Sequence, residues 1–238
     1  MATFVLVHGG WGGGWEWRPL AEMLAASGHT VFRPTLTGLG ERRHLGTPDT
    51  DLDTHIDDVR GVLETEDLDD VVLVGQSYGG AVITGVADRV PGRVGHLVYL
   101  DAFVLEDGES VNGVSGEKFA AHFRGLAADK GDGWQVPVWF DAAHVGLPDP
   151  VSGWYMSHVG PHPLATLDQP LRLTGAGAEI ATSYIDCEPP DAESWVFRPF
   201  VERARLRGWT LQHLPVGHDA HVIDPSGLAA LLEKIANG

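Results

Sequence analysis

The sequence feature that most constrains the fold is an apolar run that leads directly into a glycine-flanked serine. Residues 71–74 read Val-Val-Leu-Val, residues 75–79 read Gly-Gln-Ser-Tyr-Gly, and a helix-forming stretch follows. A strand, Gly-x-Ser-x-Gly and a helix in that order are typical of a tight nucleophile turn. The glycines avoid clashes in the bend, which raises the serine hydroxyl above the sheet edge. Ser77 is therefore the predicted nucleophile, although the pattern alone also fits a solvated serine in a glycine-rich turn.

Strand and helix patterns alternate over the first 104 residues and resume near residue 181. Such alternation with apolar strands predicts an α/β fold with a mainly parallel, twisted sheet covered by helices on both faces. Thr54 is the expected N-cap of the second helix. The predicted strands are residues 3–8, 30–33, 71–74, 94–101, 181–187 and 209–214, and the predicted helices of this part are residues 15–27, 56–65, 78–89, 195–207 and 226–236.

The alternation is interrupted between residues 105 and 180, where glycine, proline, tryptophan and histidine recur irregularly. A structureless loop of this length is improbable inside a compact domain. We therefore predict an α/β core made of residues 1–104 and 181–238, with residues 105–180 inserted as a helical lid. Short helices are expected near residues 118–128 and 163–167.

The composition limits the partners of the chain. Sixteen lysines and arginines against 33 aspartates and glutamates give a net charge of −17, which repels nucleic-acid backbones and anionic membrane surfaces. The single cysteine, Cys187, cannot form an internal disulfide, and the start of the chain lacks the pattern of a signal peptide. We expect a cytoplasmic protein that binds neither nucleic acid nor membrane. The sequence leaves a homodimer open.

His218 is the predicted base among the 12 histidines. A serine hydroxyl needs a base to remove its proton before it is an effective nucleophile. Residues 215–219, Pro-Val-Gly-His-Asp, follow the last predicted strand directly, which places His218 at the same carboxyl edge of the sheet as Ser77. His213 and His221 are alternatives, but their positions favour roles in local packing.

An acid must orient the imidazole, and the sequence offers more than one. Asp101 ends a largely apolar strand, where an ionised side chain requires a partner. Orienting His218 would supply that partner, so Asp101 is preferred. Asp191 is the alternative acid after the next strand, and Asp186 and Glu188 also remain open.

Residues 9–14 form a glycine-rich run directly after the first strand. Such a run brings backbone N–H groups close to a substrate oxygen with no side chain in the way. We predict an oxyanion hole made by the N–H of Trp11 or Gly10 together with that of Tyr78. The third glycine of a dinucleotide fingerprint would fall on Trp15, so that reading fails. His8 is expected to brace this loop.

The sequence calls for neither a metal nor an organic cofactor. The histidines at positions 122, 144, 158 and 162 are too scattered for a short-spaced zinc site. Three tryptophans of the insertion, Trp134, Trp139 and Trp154, are candidates for an apolar substrate pocket, with Phe119, Phe123 and Phe140 nearby in sequence. The alternative is that these aromatic residues form the core of the insertion.

Three motifs taken together resemble the α/β-hydrolase fold superfamily. They are residues 4–11, Phe-Val-Leu-Val-His-Gly-Gly-Trp, the nucleophile turn, and the late Gly217-His218. The branch of small esterases that includes plant methylesterases, hydroxynitrile lyases and bacterial carboxylesterases is the most similar. Lyases of that branch carry a hydroxyl residue after the first-strand histidine and a lysine after the catalytic histidine. Gly9 and Asp219 occupy those places here, so the resemblance favours ester hydrolysis.

The residues and the resemblance together predict a carboxylesterase-type serine hydrolase. Its triad would be Ser77, His218 and Asp101, and its substrates would be water and a small hydrophobic, aryl or alkyl ester. Three alternatives remain. The same triad could open lactones or cleave carbon–carbon bonds, it could support a perhydrolase or haloperoxidase side activity, or the fold could serve as a receptor that binds a small ligand without turnover.

Overall fold

The structure, a computed structural model, describes residues 1–141, 143, 146–187 and 196–237. Within these residues six strands form one sheet in the order β2-β1-β3-β4-β7-β8, and each neighbouring pair is parallel. The predicted parallel α/β architecture is confirmed. The strands are β1 Thr3–Val7, β2 Thr30–Phe32, β3 Val71–Gln76, β4 Val94–Leu100, β7 Ala181–Asp186 and β8 Thr210–His213, while β5 Gln135–Val136 and β6 His162–Pro163 form a separate antiparallel pair.

Helices connect and cover these strands. The predicted helix at residues 195–207 corresponds to a helix that begins at Arg198, with residue 195 itself outside the described part. The helices are α1 Arg18–Ala26, α2 Leu52–Thr65, α3 Gly79–Arg89, α4 Val111–Ser115, α5 Glu117–Lys130, α6 Val151–His158, α7 Leu164–Asp168, α8 Arg198–Leu206, α9 Ala220–Ile223 and α10 Pro225–Ala236.

Both faces of the sheet are buried, because alternate residues of each strand enter two different cores. Val5 and Val7 of β1 belong to a core that includes residues of α2, α3 and α8. Phe4 and Leu6 of the same strand belong to a second core, with residues of α1 and α10. Successive side chains of a strand point to opposite faces of the sheet. A continuous apolar run is therefore expected where both faces are buried.

The described part of residues 105–180 contains α4, α5, α6 and α7. The helices expected near residues 118–128 and 163–167 correspond to α5 and α7. The sequence analysis did not identify α4, α6 or the β5–β6 pair, which are too short to have a clear periodicity.

The predicted N-cap of α2 is wrong. Asp51 caps this helix: its carboxylate accepts the N–H of Thr54 at 2.9 Å, while the Thr54 hydroxyl lies 3.4 Å from the Asp51 N–H. Thr54 is therefore the third helical residue of a capping box.

The described helices are either too short or too polar to cross a membrane.

The turn between β3 and α3 requires glycine at two positions. An ideal Cβ built on Gly75 would lie 2.6 Å from the Gly79 carbonyl oxygen, and one built on Gly79 would lie 2.6 Å from the carbonyl oxygen of Val7. Real Cβ atoms do not approach backbone oxygen so closely. The glycines thus allow the strand, the helix start and neighbouring β1 to meet around residue 77.

We expect Gly75→Ala to lower the free energy of unfolding by about 1–3 kcal/mol, because the added methyl group overpacks rigid backbone. Gly61→Ala in α2 is the matched control, since its Cβ would meet no atom within 4 Å. Alanine there should raise stability by about 0.5–1 kcal/mol. Chemical denaturation measures both changes, and equal effects of the two substitutions would contradict the close packing of the turn.

Candidate active site

Ser77 has a backbone conformation that side chains rarely adopt. Its φ is 53°, in the left-handed region that is unfavourable for residues other than glycine. The Ser77 N–H donates to the carbonyl of Leu100 at 3.2 Å, and its carbonyl accepts the N–H of Phe103 at 3.1 Å. Both partners lie at or beyond the end of β4. The neighbouring strand therefore holds the serine in this conformation.

The glycine-rich loop after β1 lies directly against Ser77. An ideal Cβ on Gly9 would lie 2.2 Å from Oε1 of Gln76 and 3.1 Å from Cβ of Ser77. Buried His8 braces the loop, because its Nε2 accepts the Leu36 N–H at 3.1 Å and its Nδ1–H donates to the Gly9 carbonyl at 2.8 Å. Burial lowers the pKa of His8, which favours this neutral ring.

The backbone N–H of Trp11 is already used within the protein. It donates to Nδ1 of His162 at 3.2 Å, while Nε2 of that ring donates to the hydroxyl of Thr166 at 2.7 Å. This internal bond corrects the predicted role of the Trp11 N–H as an oxyanion donor. Gly10 and Tyr78, the other residues of that prediction, lie beside each other: an ideal Cβ on Gly10 would be 3.9 Å from Cβ of Tyr78.

Tyr78 is fixed by a further histidine that the sequence analysis did not identify. Its hydroxyl donates to Nδ1 of His55 at 2.8 Å, and Nε2–H of His55 donates to the Thr37 carbonyl at 2.7 Å. Burial lowers the pKa of His55 to about 4 and that of His162 well below its usual value. Both rings are therefore neutral near pH 7 and keep an acceptor nitrogen for these bonds.

His218 and Asp101 meet at the carboxyl edge of the sheet. Nδ1 of His218 lies 2.6 Å from Oδ2 of Asp101, whose side chain is fully buried. Asp101 has a φ of 44°, and its N–H donates to the carbonyl of Ile185 in β7 at 2.8 Å. Phe197 stacks on the imidazole with ring centroids 4.7 Å apart. A carboxylate accepts the Nδ1 proton, so Nε2 carries the lone pair of the neutral ring.

Of the other acids proposed from the sequence, Asp186 pairs with a different histidine. Asp186 bonds to Nδ1 of His213 at 3.2 Å, and that histidine is exposed. Asp191 and Glu188 lie outside the described residues. Asp101 is thus the acid that the described structure brings to the imidazole.

His221, the remaining alternative base, lies in a buried polar cluster behind His218. Its ring packs at a tilt against that of Trp17 with centroids 4.4 Å apart, and its Nε2 lies 3.6 Å from Oε1 of buried Glu16. Burial lowers the pKa of His221 to about 4 and raises that of Glu16 to about 7. His221 therefore has the packing position that its sequence context indicated.

Acidic neighbours control the charge of His218. Partial burial disfavours its imidazolium form, but the hydrogen bond and charge of Asp101, with the charges of Asp219 and Glu16, outweigh that effect. The net result is a pKa raised above the ordinary value of 6.5. The site therefore stabilises the imidazolium that forms when the ring accepts a proton.

Ser77 and His218 line one cavity with a volume of about 270 Å³. Its walls are mainly aromatic and aliphatic, and no lysine or arginine occurs among the described residues that line it. The cavity therefore suits an uncharged apolar group. Its lining comprises Gly10, Trp11, Gln76, Ser77, Tyr78, Phe103, Val111, Ser115, Phe119, Phe123, Trp139, Phe140, Tyr155, Leu167, Val196, Phe197, His218 and Asp219.

The three tryptophans proposed for the pocket have different locations. Trp139 lines the cavity. Trp134 lines a separate surface groove that also contains Pro48, and Trp154 packs edge-on against Trp15 with ring centroids 5.0 Å apart. Trp134 and Trp154 are therefore not among the residues that line this cavity, which corrects their proposed place in the pocket.

The groups that converge here are a hydroxyl, an acid-oriented imidazole and backbone amides of two loops. This set can activate an oxygen nucleophile and bind a developing oxyanion, the requirements of acyl transfer. Among the described residues, no group of three or more histidine, cysteine, aspartate or glutamate side chains is arranged to hold a metal ion.

Comparisons with known proteins agree with this chemistry. A model of the alpha/beta hydrolase family matches residues 4–231. The carbendazim hydrolyzing esterase of Nocardioides sp. is 42% identical over 99% of both chains. Methylesterase 8 of Arabidopsis thaliana is 32% identical over 50% of this chain and 43% of its own length.

Comparison with solved structures also identifies an alpha/beta-hydrolase fold. The solved structure of an extracellular alpha/beta-hydrolase from a Paenibacillus species matches with a TM-score of 0.85 and 25% identity, covering 98% of both chains. The resemblance and the α/β-hydrolase fold inferred from the three sequence motifs are confirmed.

We expect the pKa of His218, followed through its imidazole C–H resonances by NMR titration, to lie above 6.5 in the native protein. Asp101→Asn should lower it, because partial burial then acts without the carboxylate that outweighs it. Asp186→Asn is the matched control, since that acid pairs with His213. A His218 pKa that is unchanged by Asp101→Asn would show that Asp101 does not pair with the ring.

Proposed function

The chain belongs to the alpha/beta hydrolase family, and from this premise we propose that it is a serine esterase. Its substrates in this proposal are carboxylic esters with small hydrophobic, aryl or alkyl groups. The similarity to an esterase over nearly the whole chain confirms the predicted enzyme class, a carboxylesterase-type hydrolase. We propose the roles of individual residues from the geometry of the site.

One observation carries the assignment of the triad. Ser77 is held in a strained turn on the wall of the same cavity as His218, whose Nδ1 lies 2.6 Å from buried Asp101. Strained conformations persist where the surroundings enforce them, and they cluster at active sites. A structural serine would need neither this backbone nor an acid-oriented imidazole beside it.

The mechanism we propose has two acyl-transfer steps. His218 takes the proton of the Ser77 hydroxyl through Nε2 as the oxygen attacks the ester carbonyl, and Asp101 stabilises the resulting imidazolium. The N–H groups of Gly10 and Tyr78 bind the oxyanion. The alcohol leaves with the proton from His218. Water then attacks the acyl carbonyl while His218 takes its proton, and the imidazolium returns that proton to the Ser77 oxygen as the acid leaves.

The buried histidines support the oxyanion donors in this proposal. His162 and His55 are neutral hydrogen-bonding groups that hold Trp11 and Tyr78, the two residues next to Gly10 in the chain and in space. Donors that are already in place need no reorganisation when charge develops on the substrate oxygen.

The cavity favours an uncharged aromatic or branched apolar group on the ester. Its walls carry Phe119, Phe123, Trp139 and Phe140, which offer large apolar surfaces. A volume of about 270 Å³ suits a small substrate. Carbendazim is included among the compounds to be tested, because the named function of the 42% identical relative is its hydrolysis.

Residues 105–180 act as the lid of this site in our proposal, and residues 1–104 and 181–238 act as the core. Residues of α4, α5 and α6 line the same cavity as Ser77, including Val111, Phe119 and Tyr155. The cytoplasmic location and the homodimer stay predictions from the sequence.

The test is steady-state hydrolysis of nitrophenyl esters of increasing acyl length, with carbendazim, lactones and diketones assayed in parallel. We expect Ser77→Ala to lower kcat by several orders of magnitude, about 10⁴-fold or more, because the nucleophile is lost. The matched control is Ser157→Ala on the exposed surface, which should retain native rates.

Retention of esterase activity in folded Ser77→Ala would overturn the triad. Turnover of lactones or diketones without esters would favour the alternative hydrolases. Stoichiometric ligand binding without any product would favour the receptor.

A further inference from the structure

Trp11, the residue after Gly10, joins the glycine-rich loop to the proposed lid through every polar group it has. Its N–H donates to Nδ1 of His162 at 3.2 Å, and its carbonyl accepts the N–H of Gly160 at 3.0 Å. Its indole N–H donates to the carbonyl of Val136 at 3.0 Å. All three partners belong to the proposed lid, so this one residue connects the lid to the loop that carries an oxyanion donor.

The lid binds Trp11 through one small structural unit. Val136 and His162 face each other in the antiparallel β5–β6 pair. The pair is extended by a hydrogen bond from the Leu164 N–H to the carbonyl of Trp134 at 2.8 Å. Two of the three bonds to Trp11 therefore come from neighbouring strands whose relative position is fixed.

The side chain and the backbone of Trp11 both depend on these contacts. Its ring packs edge-on against those of Phe123, Trp139 and Phe140, with centroids 5.3, 6.1 and 5.9 Å apart. Its φ is 62°, in the left-handed region that is uncommon for residues other than glycine. Such a conformation persists where the surroundings enforce it. The hydrogen bonds and ring contacts of the lid provide that enforcement.

Gly10 is held from both sides as a result. The Gly9 carbonyl, which accepts Nδ1–H of His8 at 2.8 Å, shares a peptide group with the Gly10 N–H. A planar trans peptide points its N–H away from its carbonyl, so this bond directs the Gly10 N–H. The next peptide group contains the Trp11 N–H, which is bound to His162. Glycine has no side chain to restrict it, so its orientation depends on these two flanking bonds.

We propose that Trp11 is a positioning residue, which fixes the Gly10 N–H for the substrate oxyanion through its three hydrogen bonds to the lid. The inference rests on the proposed esterase function and adds that the oxyanion hole is complete only while β5 and β6 hold Trp11. A loop without these bonds has to be ordered as charge develops, a cost that donors already in place avoid. The effect therefore falls on the transition state, whereas a residue that only forms the cavity wall acts equally on the bound ground state.

The experiment compares an aryl trifluoromethyl ketone with the matching methyl ketone as inhibitors of nitrophenyl ester hydrolysis. With the first, the Ser77 oxygen bonds to the ketone carbon, its proton passes to His218, and the carbonyl electron pair moves to the oxygen, which becomes an oxyanion. The methyl ketone reports binding of an uncharged ligand. We expect Trp11→Phe to raise the inhibition constant of the trifluoromethyl ketone by about 10- to 100-fold. The constant of the methyl ketone should change by less than about threefold, and kcat should fall while KM changes little.

Trp139→Phe is the matched control, because it makes the same replacement at another tryptophan of the cavity wall. Its effect should be the same factor for both ketones, since the change alters the wall without removing a bond of Trp11. Equal factors for the two ketones in Trp11→Phe as well would overturn the proposal.

Variants of His162 test the attachment from the side of the lid, at a residue that is not among those lining the cavity. His162→Leu removes the acceptor of the Trp11 N–H and should weaken the trifluoromethyl ketone selectively. His162→Asn keeps an acceptor oxygen near the place of Nδ1 and should restore much of that affinity, and it serves as the second variant if thermal unfolding shows that leucine disturbs folding. The losses from Trp11→Phe and His162→Leu should be less than additive, because both break the same attachment. Fully additive losses would contradict it.

Hydrogen exchange separates this proposal from the esterase function, because it requires no catalysis. Mass spectrometry of the proteolytic peptides should show that residues 8–14 and 159–163 lose protection together in Trp11→Phe, while residues 8–14 keep native protection in Trp139→Phe. This joint loss supports the attachment even if the native protein neither hydrolyses esters nor binds the trifluoromethyl ketone, in which case the esterase function fails. Ester hydrolysis by Trp11→Phe with native exchange and native inhibition constants refutes the positioning role alone.

Discussion

The tight turn between β3 and α3 is the constraint on which the rest of the site depends. Glycines at positions 75 and 79 let backbone from β3, α3 and β1 approach within distances that a Cβ would forbid. The hydrogen bonds to Leu100 and Phe103 then hold Ser77 at a φ of 53°. Parallel strand order places the end of β4, and with it Asp101, beside this turn. The strain is local, and the sheet that enforces it also brings the acid and the imidazole to the same edge.

The histidines at the oxyanion loop and the histidine of the proposed triad have opposite roles. Their surroundings determine whether each ring is neutral or readily protonated. His8, His55 and His162 are fully buried and have neutral hydrogen-bond partners, so burial lowers their pKa values and they act as fixed neutral links. His218 is partly buried as well, but Asp101 and other acids reverse the effect and favour its charged form. Neutral links keep the oxyanion loop in place, while the imidazole that must accept a proton is stabilised when it does so.

Much of the fold could be predicted from the sequence, because it depends on local patterns. Apolar strands, helix spacing and the glycine-flanked turn indicated a parallel sheet with Ser77 at its edge, and the residues after the last strand indicated His218. What the sequence analysis missed depends on tertiary contacts. The bond between Trp11 and His162 joins residues 151 positions apart, and nothing local distinguishes Trp139 in the cavity from Trp134 and Trp154 outside it. The choice among the acids likewise depended on which carboxylate reaches Nδ1 of His218.

The central claim is that the strained turn makes one serine hydroxyl reactive by placing it beside the imidazole at 218. Covalent labelling with a fluorophosphonate, followed by mass spectrometry of the proteolytic peptides, tests it most directly. The account predicts a single adduct on Ser77, formed more slowly when His218 is replaced by alanine. An adduct on another serine, or no adduct on a folded protein that hydrolyses esters, would contradict it.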